Sequence, residues 1–163
     1  MSGKNKCEMP VNEAKRVLGE EDTGCLCLSS KAGKPYGVPV SYAFIGGRII
    51  FHCGLKGRKL DLIRENPAVS FVVSRHPDKV RPHHPEKGCT YRYESVICSG
   101  KARIVKNLKE RHELLNKFLS YFNVRLGKDP ADRLIPEKVA AGVGCVVIDI
   151  KGITGRKKLG TKK

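Results

Sequence analysis

The segment from Phe51 to Leu60 leaves an apolar, strand-like run, passes through two glycines and enters a predicted helix, with Lys56, Arg58 and Lys59 close together. Backbone N–H groups in the first turn of a helix have no intrahelical partner, and the helix dipole favours a negative charge beside them. Cations are unfavourable at that end of a helix, so their presence favours a bound phosphate over a solvated run of charge. We therefore predict a phosphate site at Gly57, Arg58 and Lys59, which we call the anion corner.

A second candidate surface lies in the preceding segment, from Gly37 to Phe44. Side chains alternate between the two faces of a strand, and here the large ones share one face while the small ones share the other. The large set is Val38, Val40, Tyr42 and Phe44, and the small set is Pro39, Ser41 and Ala43. We expect the large set to enter the core and the small face to leave room for a flat ring system. Proline in the strand favours irregular pairing that frees backbone groups.

Six runs have the apolar, β-branched and aromatic content of strands and follow one another mostly through turns. They are Thr23–Leu28, Gly37–Phe44, Arg48–Cys53, Ala68–Ser74, Tyr91–Val105 and Cys145–Ile150. Adjacent Gly46 and Gly47 supply the positive φ of a tight turn, so the second and third runs should pair directly. Gly100 interrupts the longest run and predicts a bulge. The order predicts a mainly β fold, a six-stranded antiparallel split barrel with peripheral helices.

Helical spacing of apolar residues occurs in three segments. The first runs from Asn12 to Leu18 and stops at Gly19. The second, Lys56–Asn66, ends there because a residue that precedes proline disfavours the α region. The third begins after Asn107, which with Glu110 has the spacing of a capping box. The apolar side of the first helix is predicted to be Val11, Ala14, Val17 and Leu18.

The composition limits the possible classes of function. A chain of 163 residues with 40% hydrophobic content suits one domain, and 32 Lys and Arg against 16 Asp and Glu give a net charge of +16. Such a charge attracts anions, including nucleotides, phosphorylated cofactors and nucleic acids.

No apolar run is long enough to cross a bilayer and the N-terminus lacks a secretory signal, so we expect a cytoplasmic protein without membrane partners. The seven cysteines, an odd number, fit reduced thiols.

The ends of the chain and one histidine-rich segment are expected to be peripheral. We expect residues 1–10 to be a flexible N-terminus, 11–154 to form the domain and 155–163 to be a basic flexible tail. His76, His83 and His84 lie among prolines, which predicts a loop over residues 76–84 that acts as a lid beside the site. Their spacing matches no known set of metal ligands, so we assign no metal site, with zinc as the alternative at this loop.

A series of motifs resembles the pyridoxamine 5′-phosphate oxidase-like, FMN-binding split barrels. The motifs are Gly37–Tyr42, Ile50–Cys53, Gly57–Asp61, Asn66–Phe71, Tyr93–Ile97, Gly100–Ala102 and Ile148–Ile150. The resemblance extends from about Leu18 to Arg156 and is nearest to the branch that contains the nitroimidazole-resistance proteins. The Arg-rich C-terminal segment of true pyridoxamine phosphate oxidases has no clear counterpart here, which argues against oxidation of vitamin B6.

The resemblance implies a homodimer that binds FMN noncovalently at the subunit interface. The anion corner would hold the FMN phosphate, and a strand of the partner subunit would close the pocket over the isoalloxazine ring. The implied contacts are Gly57, Arg58 and Lys59 at the phosphate, Val40, Ser41, Tyr42, His52 and Cys53 along the ring, and Tyr93, Glu94 and Ser95 from the second subunit.

The resemblance also implies an FMN-dependent oxidoreductase that passes electrons from NAD(P)H to a small molecule such as a nitroaromatic compound. His52 is the implied catalytic residue: it either binds substrate and relays a proton, or only hydrogen-bonds flavin or a neighbouring carbonyl. The alternatives are a flavin- or haem-binding module without turnover, an activity related to pyridoxamine phosphate oxidase, and a nucleic-acid-binding barrel. Aromatic residues are 6% of the chain, too few for the stacking surface of a single-strand binder, so we do not expect nucleic acid as a partner.

Overall fold

The computed structural model describes residues 7–76 and 92–158. Its strands are β1 (Glu8–Met9), β2 (Thr23–Ser29), β3 (Pro35–Ser41), β4 (Ala43–Ile45), β5 (Arg48–Cys53), β6 (Ala68–Arg75), β7 (Tyr93–Ile104) and β8 (Gly144–Lys158). Its helices are α1 (Val11–Glu20), α2 (Arg58–Glu65), α3 (Leu108–Arg125) and α4 (Glu137–Ala140). The predicted lid beyond His76, including His83 and His84, lies outside the described residues, as do residues 1–6 and 159–163.

The strands form one antiparallel sheet in the order β3-β2-β6-β7-β8-β5-β4, with β1 paired to β8. The prediction of a mainly β, antiparallel split barrel with peripheral helices is confirmed. The described part of the chain has eight strands where six were predicted, because β1 is added and the run from Gly37 to Phe44 divides. The division falls at Tyr42, whose N–H donates to the Asp22 carbonyl at 2.9 Å instead of continuing a ladder. Strand β3 consequently pairs with β2, whereas β4 pairs with β5.

Two predicted glycine devices are confirmed. Gly46 and Gly47 have φ of 57° and 76° and close the turn between β4 and β5. The predicted direct pairing of the second and third runs is confirmed, although only the short β4 of the second run takes part in it. At Gly100 the register of β7 against β8 shifts, which is the expected bulge. A Cβ on Gly100 would lie 2.4 Å from the Asp149 carbonyl oxygen, so no larger residue fits without moving β8.

The main core fills the inside of the barrel, and two helices close it. Large side chains such as Leu26, Phe51 and Phe71 are fully buried there. From α1 the core receives Ala14, Val17 and Leu18, and from α2 it receives Leu60, Leu62 and Ile63. Val11 was predicted to join them but is 50% exposed, because it is the first residue of α1 and lies beyond the barrel wall.

A second, smaller core lies between α3 and the outside of the barrel. Leu114, Leu115 and Phe118 of α3 pack against Ile50 and Val147. Asn107 caps α3 as predicted, because its side-chain oxygen accepts the Glu110 N–H at 2.9 Å. The Glu110 carboxylate does not return to the cap and instead accepts from Arg103 at 2.7 Å. Among the described residues, no helix is long and apolar enough to span a membrane.

The predicted boundaries of the domain are too narrow at both ends. Glu8 and Met9 pair with Arg156 and Gly155, so part of the expected flexible N-terminus is strand. Strand β8 continues to Lys158, and its last residues pair with β7 as well. Residues 155–158 were assigned to the tail because they are largely basic and show no apolar period. All four pair with β7, and Gly155 and Arg156 also pair with β1, which fixes them in the sheet.

Replacing Gly100 with Ala should lower the free energy of unfolding by about 2 kcal/mol, because the new methyl group meets backbone atoms that cannot rotate away. Urea denaturation measures the change. Gly19→Ala is the matched control: it lies in α1 and a Cβ there would meet nothing within 4 Å, so it should be neutral or stabilising by up to about 1 kcal/mol. Equal stability of Gly100→Ala and the wild type would contradict the close approach of β7 and β8.

Candidate functional site

The anion corner forms where β5 leads into α2. The helix begins at Arg58, two residues later than predicted, and Gly57 is its N-cap with φ of 132°. Within residues 7–76 and 92–158, no side chain caps this end, and a Cβ on Gly57 would meet nothing within 4 Å. The first amides paired to the Gly57 carbonyl are those of Leu60 at 2.9 Å and Asp61 at 3.3 Å. The first turn therefore presents open backbone N–H groups to an anion.

Strand β8 supports the loop that precedes α2. A Cβ on Gly144 would lie 2.7 Å from the Gly54 carbonyl oxygen and 3.1 Å from the Cys53 sulfur. Only glycine at position 144 allows β8 to pack this closely against the end of β5. The close packing sets where the chain leaves the sheet and therefore where α2 begins.

Arg58 is held by an aromatic ring that the sequence prediction did not include. Its guanidinium carbon lies 4.9 Å from the ring centroid of Tyr36, on β3. Tyr36 is half-buried and packs against the main core together with Val38 and Val40. The signal was present in the sequence, because Tyr36 lies on the same alternating face two residues before Val38.

The two cations of the anion corner have no anionic partner within the described residues. Arg58 contacts the Tyr36 ring, and Lys59 makes no side-chain hydrogen bond or ion pair in the same part of the chain. By contrast, Arg64 forms an ion pair with Asp61 at 2.6 Å and Arg103 forms one with Glu110 at 2.7 Å. Unpaired cations beside open amides are an arrangement suited to a phosphate.

His52 and Cys53 point to opposite faces of β5. The Cys53 side chain is half-buried against the main core, whereas His52 is exposed beside α3, with its ring centroid 5.0 Å from that of Phe118. Burial raises the pKa of the Cys53 thiol, and the Lys59 ammonium offsets only part of this rise. Cys53 is therefore a protonated thiol at neutral pH, whereas His52 presents its imidazole to solvent.

The predicted ring-lining strand is only partly available to a ligand. Val40 is half-buried and Ser41 is exposed at the end of β3. The resemblance implied that the Tyr42 side chain lines the ring, but this side chain is fully buried. Its hydroxyl donates to the Leu18 carbonyl at 2.8 Å, and its ring packs edge-on against Phe71. Ala43 is a second correction, because it lies in the small core under α3 instead of on an open face.

The strand predicted to close the pocket from the partner subunit presents alternate side chains. Tyr93 and Ser95 are half-buried on the outer face of β7. The resemblance implied a ligand contact for Glu94 as well, but this residue is 5% exposed and its side chain points inward. Its carboxylate accepts from Arg75 at 2.6 Å and from Arg16 at 3.1 Å, and these bonds tie β6, β7 and α1 together. Glu94 is therefore a structural anion in this chain.

The comparisons with known proteins decide the family. Residues 10–157 match the family described as pyridoxamine 5′-phosphate oxidase. The chain belongs to the pyridoxamine 5′-phosphate oxidase family. A search among curated proteins gave no significant match.

Solved structures share the fold of this pyridoxamine 5′-phosphate oxidase family member. A candidate 5-nitroimidazole antibiotic resistance protein from Bacteroides thetaiotaomicron aligns with a TM-score of 0.75 and 17% identity, over 92% of this chain and 86% of that chain. A FAD-binding protein from Mesorhizobium loti aligns with a TM-score of 0.69 and 23% identity, over 93% and 97%. A FAD- and haem-binding protein from Mycobacterium smegmatis aligns with a TM-score of 0.78 and 14% identity, over 95% and 75%. At these identities the likeness is one of fold.

Proposed function

We propose that this protein is an FMN-dependent oxidoreductase that reduces a small molecule, such as a nitroaromatic compound, with electrons from NAD(P)H. The observation that supports it best is the anion corner, where Arg58 and Lys59, which have no anionic partner among the described residues, lie beside the open amides that follow Gly57. A mononucleotide presents one phosphate, and this corner offers one compact set of donors. The match to the oxidase family and the flavin-binding descriptions of its structural neighbours support the same choice.

The residues present fit FMN at its phosphate end. Gly57 leaves room for close approach, Arg58 offers a planar set of donors and Lys59 adds a second charge. Val40 and Ser41 at the end of β3 are the side chains we assign to the ring, and Tyr42 contributes backbone only. Bound FMN would supply hydride and electron transfer between reduced nicotinamide and the acceptor.

His52 is the residue we assign to proton transfer. It lies exposed near the end of β5, one residue from Cys53 and on the strand that leads to the anion corner. Its ring packs edge-on against Phe118, which fixes the imidazole without enclosing it. An acceptor that gains electrons also needs protons, and an exposed imidazole can hold and release one.

A homodimer is the assembly we propose, and one face of the sheet supports it. Two rows of outward side chains cross five strands from β3 to β8 without a single charge, in a chain with 29% charged residues. The rows are Pro39, Cys25, Val72, Ile97 and Thr154, and Gly37, Cys27, Ser70, Ser99 and Gly152. Copies with a net charge of +16 repel each other, so an uncharged face is where two of them can meet. Free cysteines on this face fit the reducing cytoplasm that we propose as its location.

A second candidate function is a flavin- or haem-binding module without turnover, which the FAD- and haem-binding descriptions of neighbouring structures favour. The absorption spectrum of the freshly purified protein and the mass of the released cofactor separate FMN, FAD and haem. Bleaching of the flavin band by NADH or NADPH then separates the oxidoreductase from the module, because a storage protein keeps its colour when no electrons are transferred.

Replacing Lys59 with Glu should weaken FMN binding about tenfold or more, because a charge-assisted contact with the phosphate becomes a repulsion. Titration followed by flavin fluorescence measures the affinity. Lys117→Glu, an exposed change on α3, alters the net charge equally and should leave the affinity unchanged. Equal weakening by both variants would assign the effect to the general field and remove the anion corner as the phosphate site.

Replacing His52 with Gln should lower turnover of a nitroaromatic acceptor about 100-fold while FMN affinity stays within about twofold, because only proton delivery is lost. Steady-state rates with NAD(P)H, together with the flavin titration, measure the two effects separately. Wild-type turnover in His52→Gln would exclude His52 as the proton donor, and a parallel loss of FMN affinity would assign it to flavin binding.

Replacing Ile97 with Glu should convert the dimer to a monomer, because the change places a charge in the centre of the uncharged face, where the side chain is 49% exposed. Light scattering coupled to gel filtration measures the mass. Leu126→Glu, at an even more exposed apolar position just after α3, is the control and should remain dimeric. A monomeric wild type at micromolar concentration would contradict the proposed assembly.

A further inference from the structure

We propose that Tyr36 is a positioning residue that orients the Arg58 guanidinium toward the phosphate of the bound mononucleotide. This inference rests on the proposed function, because it assigns a role within the same site. Strand β3 would then contribute to both ends of the ligand, with Tyr36 at the phosphate and Val40 and Ser41 at the ring.

The ring of Tyr36 is held in place before any ligand arrives. Tyr36 lies in the β2–β3 ladder opposite Leu28, and its half-buried side chain packs against the main core. Arg58 lies on a different element, at the first position of α2. The 4.9 Å separation between its guanidinium carbon and the ring centroid therefore joins β3 to the open end of α2.

A guanidinium that lies over an aromatic ring can still use its N–H donors for another partner. The positive group is attracted through its flat face, whereas its N–H donors point outward in the plane. Those donors match two oxygens of a phosphate at once, which a lysine ammonium cannot do. Within the described residues, no carboxylate competes for Arg58. Tyr36 thus fixes direction, while Lys59 supplies a point charge.

The positioning role of Tyr36 predicts that its ring affects the affinity only for ligands that carry the phosphate. Riboflavin has the same ring system as FMN and no phosphate, so loss of the stacked arginine should affect only FMN. An exposed cation–π contact corresponds to about a two- to fivefold change in affinity. Tyr36→Phe keeps the aromatic face and should bind FMN as the wild type does, whereas Tyr36→Leu keeps apolar packing but lacks the ring.

The test measures dissociation constants for FMN and riboflavin with the wild type, Tyr36→Phe, Tyr36→Leu, Arg58→Ala and the Tyr36→Leu/Arg58→Ala double variant. We expect Tyr36→Leu to weaken FMN about two- to fivefold with riboflavin unchanged. The double variant should bind FMN no more weakly than Arg58→Ala, because the ring acts only through the arginine.

The outcomes separate this inference from the function on which it rests. A wild type that binds riboflavin as tightly as FMN would overturn the phosphate site itself. With that preference present, additive losses in the double variant would overturn the positioning role. So would equal weakening by Tyr36→Phe, which would assign the contact to the hydroxyl, or equal losses of FMN and riboflavin, which would indicate a structural effect on the pocket.

Discussion

The pairing of β8 along β7 and β5 is the interaction on which the rest of the structure depends. All twelve residues of β7 pair with β8, and the opposite edge of β8 pairs with β5 and then with β1. This ladder tolerates only glycine at two points, Gly100 and Gly144, where backbone approaches backbone. Because β8 fixes the end of β5, it also fixes the loop after Cys53 and the start of α2. The position of the anion corner thus depends on the pairing of β5 with β8, a strand that lies far from α2 in the sequence.

The cations of this strongly basic chain include some that bind groups within the fold and others that have no anionic partner among the described residues. Arg16 and Arg75 surround the buried carboxylate of Glu94, and burial of such an anion is tolerated because both partners hydrogen-bond to it. Arg125 binds the carbonyls of Gly19 and Glu20 and so ends α1. Arg58 and Lys59 have no anionic partner among the described residues, and they differ from other such cations, for example Arg48 and Arg156, because they lie beside the open amides at the start of α2. A net charge alone could not distinguish the two classes of cation.

Local signals in the sequence predicted much of the fold, including the start of a helix close to Gly57. The turn at Gly46 and Gly47, the bulge at Gly100 and the cap at Asn107 depend on residues close in sequence, so they were readable. The inward direction of Glu94 was not, because it depends on arginines from two other elements. Alternation placed Tyr42 on the core face correctly, whereas the resemblance implied a ligand contact for its side chain, which is fully buried. Long-range packing decided both cases.

The opposite orientations of His52 and Cys53 affect how the protein would withstand the electron transfer proposed for it. Enzymes that transfer electrons near oxygen are exposed to peroxide, which oxidises thiolates much faster than thiols. In this chain Cys53, which lies four residues before Gly57 in the sequence, faces the core and stays protonated, and the imidazole of His52 lies on the solvent side. The alternation of the strand that exposes the imidazole assigned to proton transfer in our proposal therefore also turns the Cys53 sulfur toward the core, where its thiol form would resist oxidation.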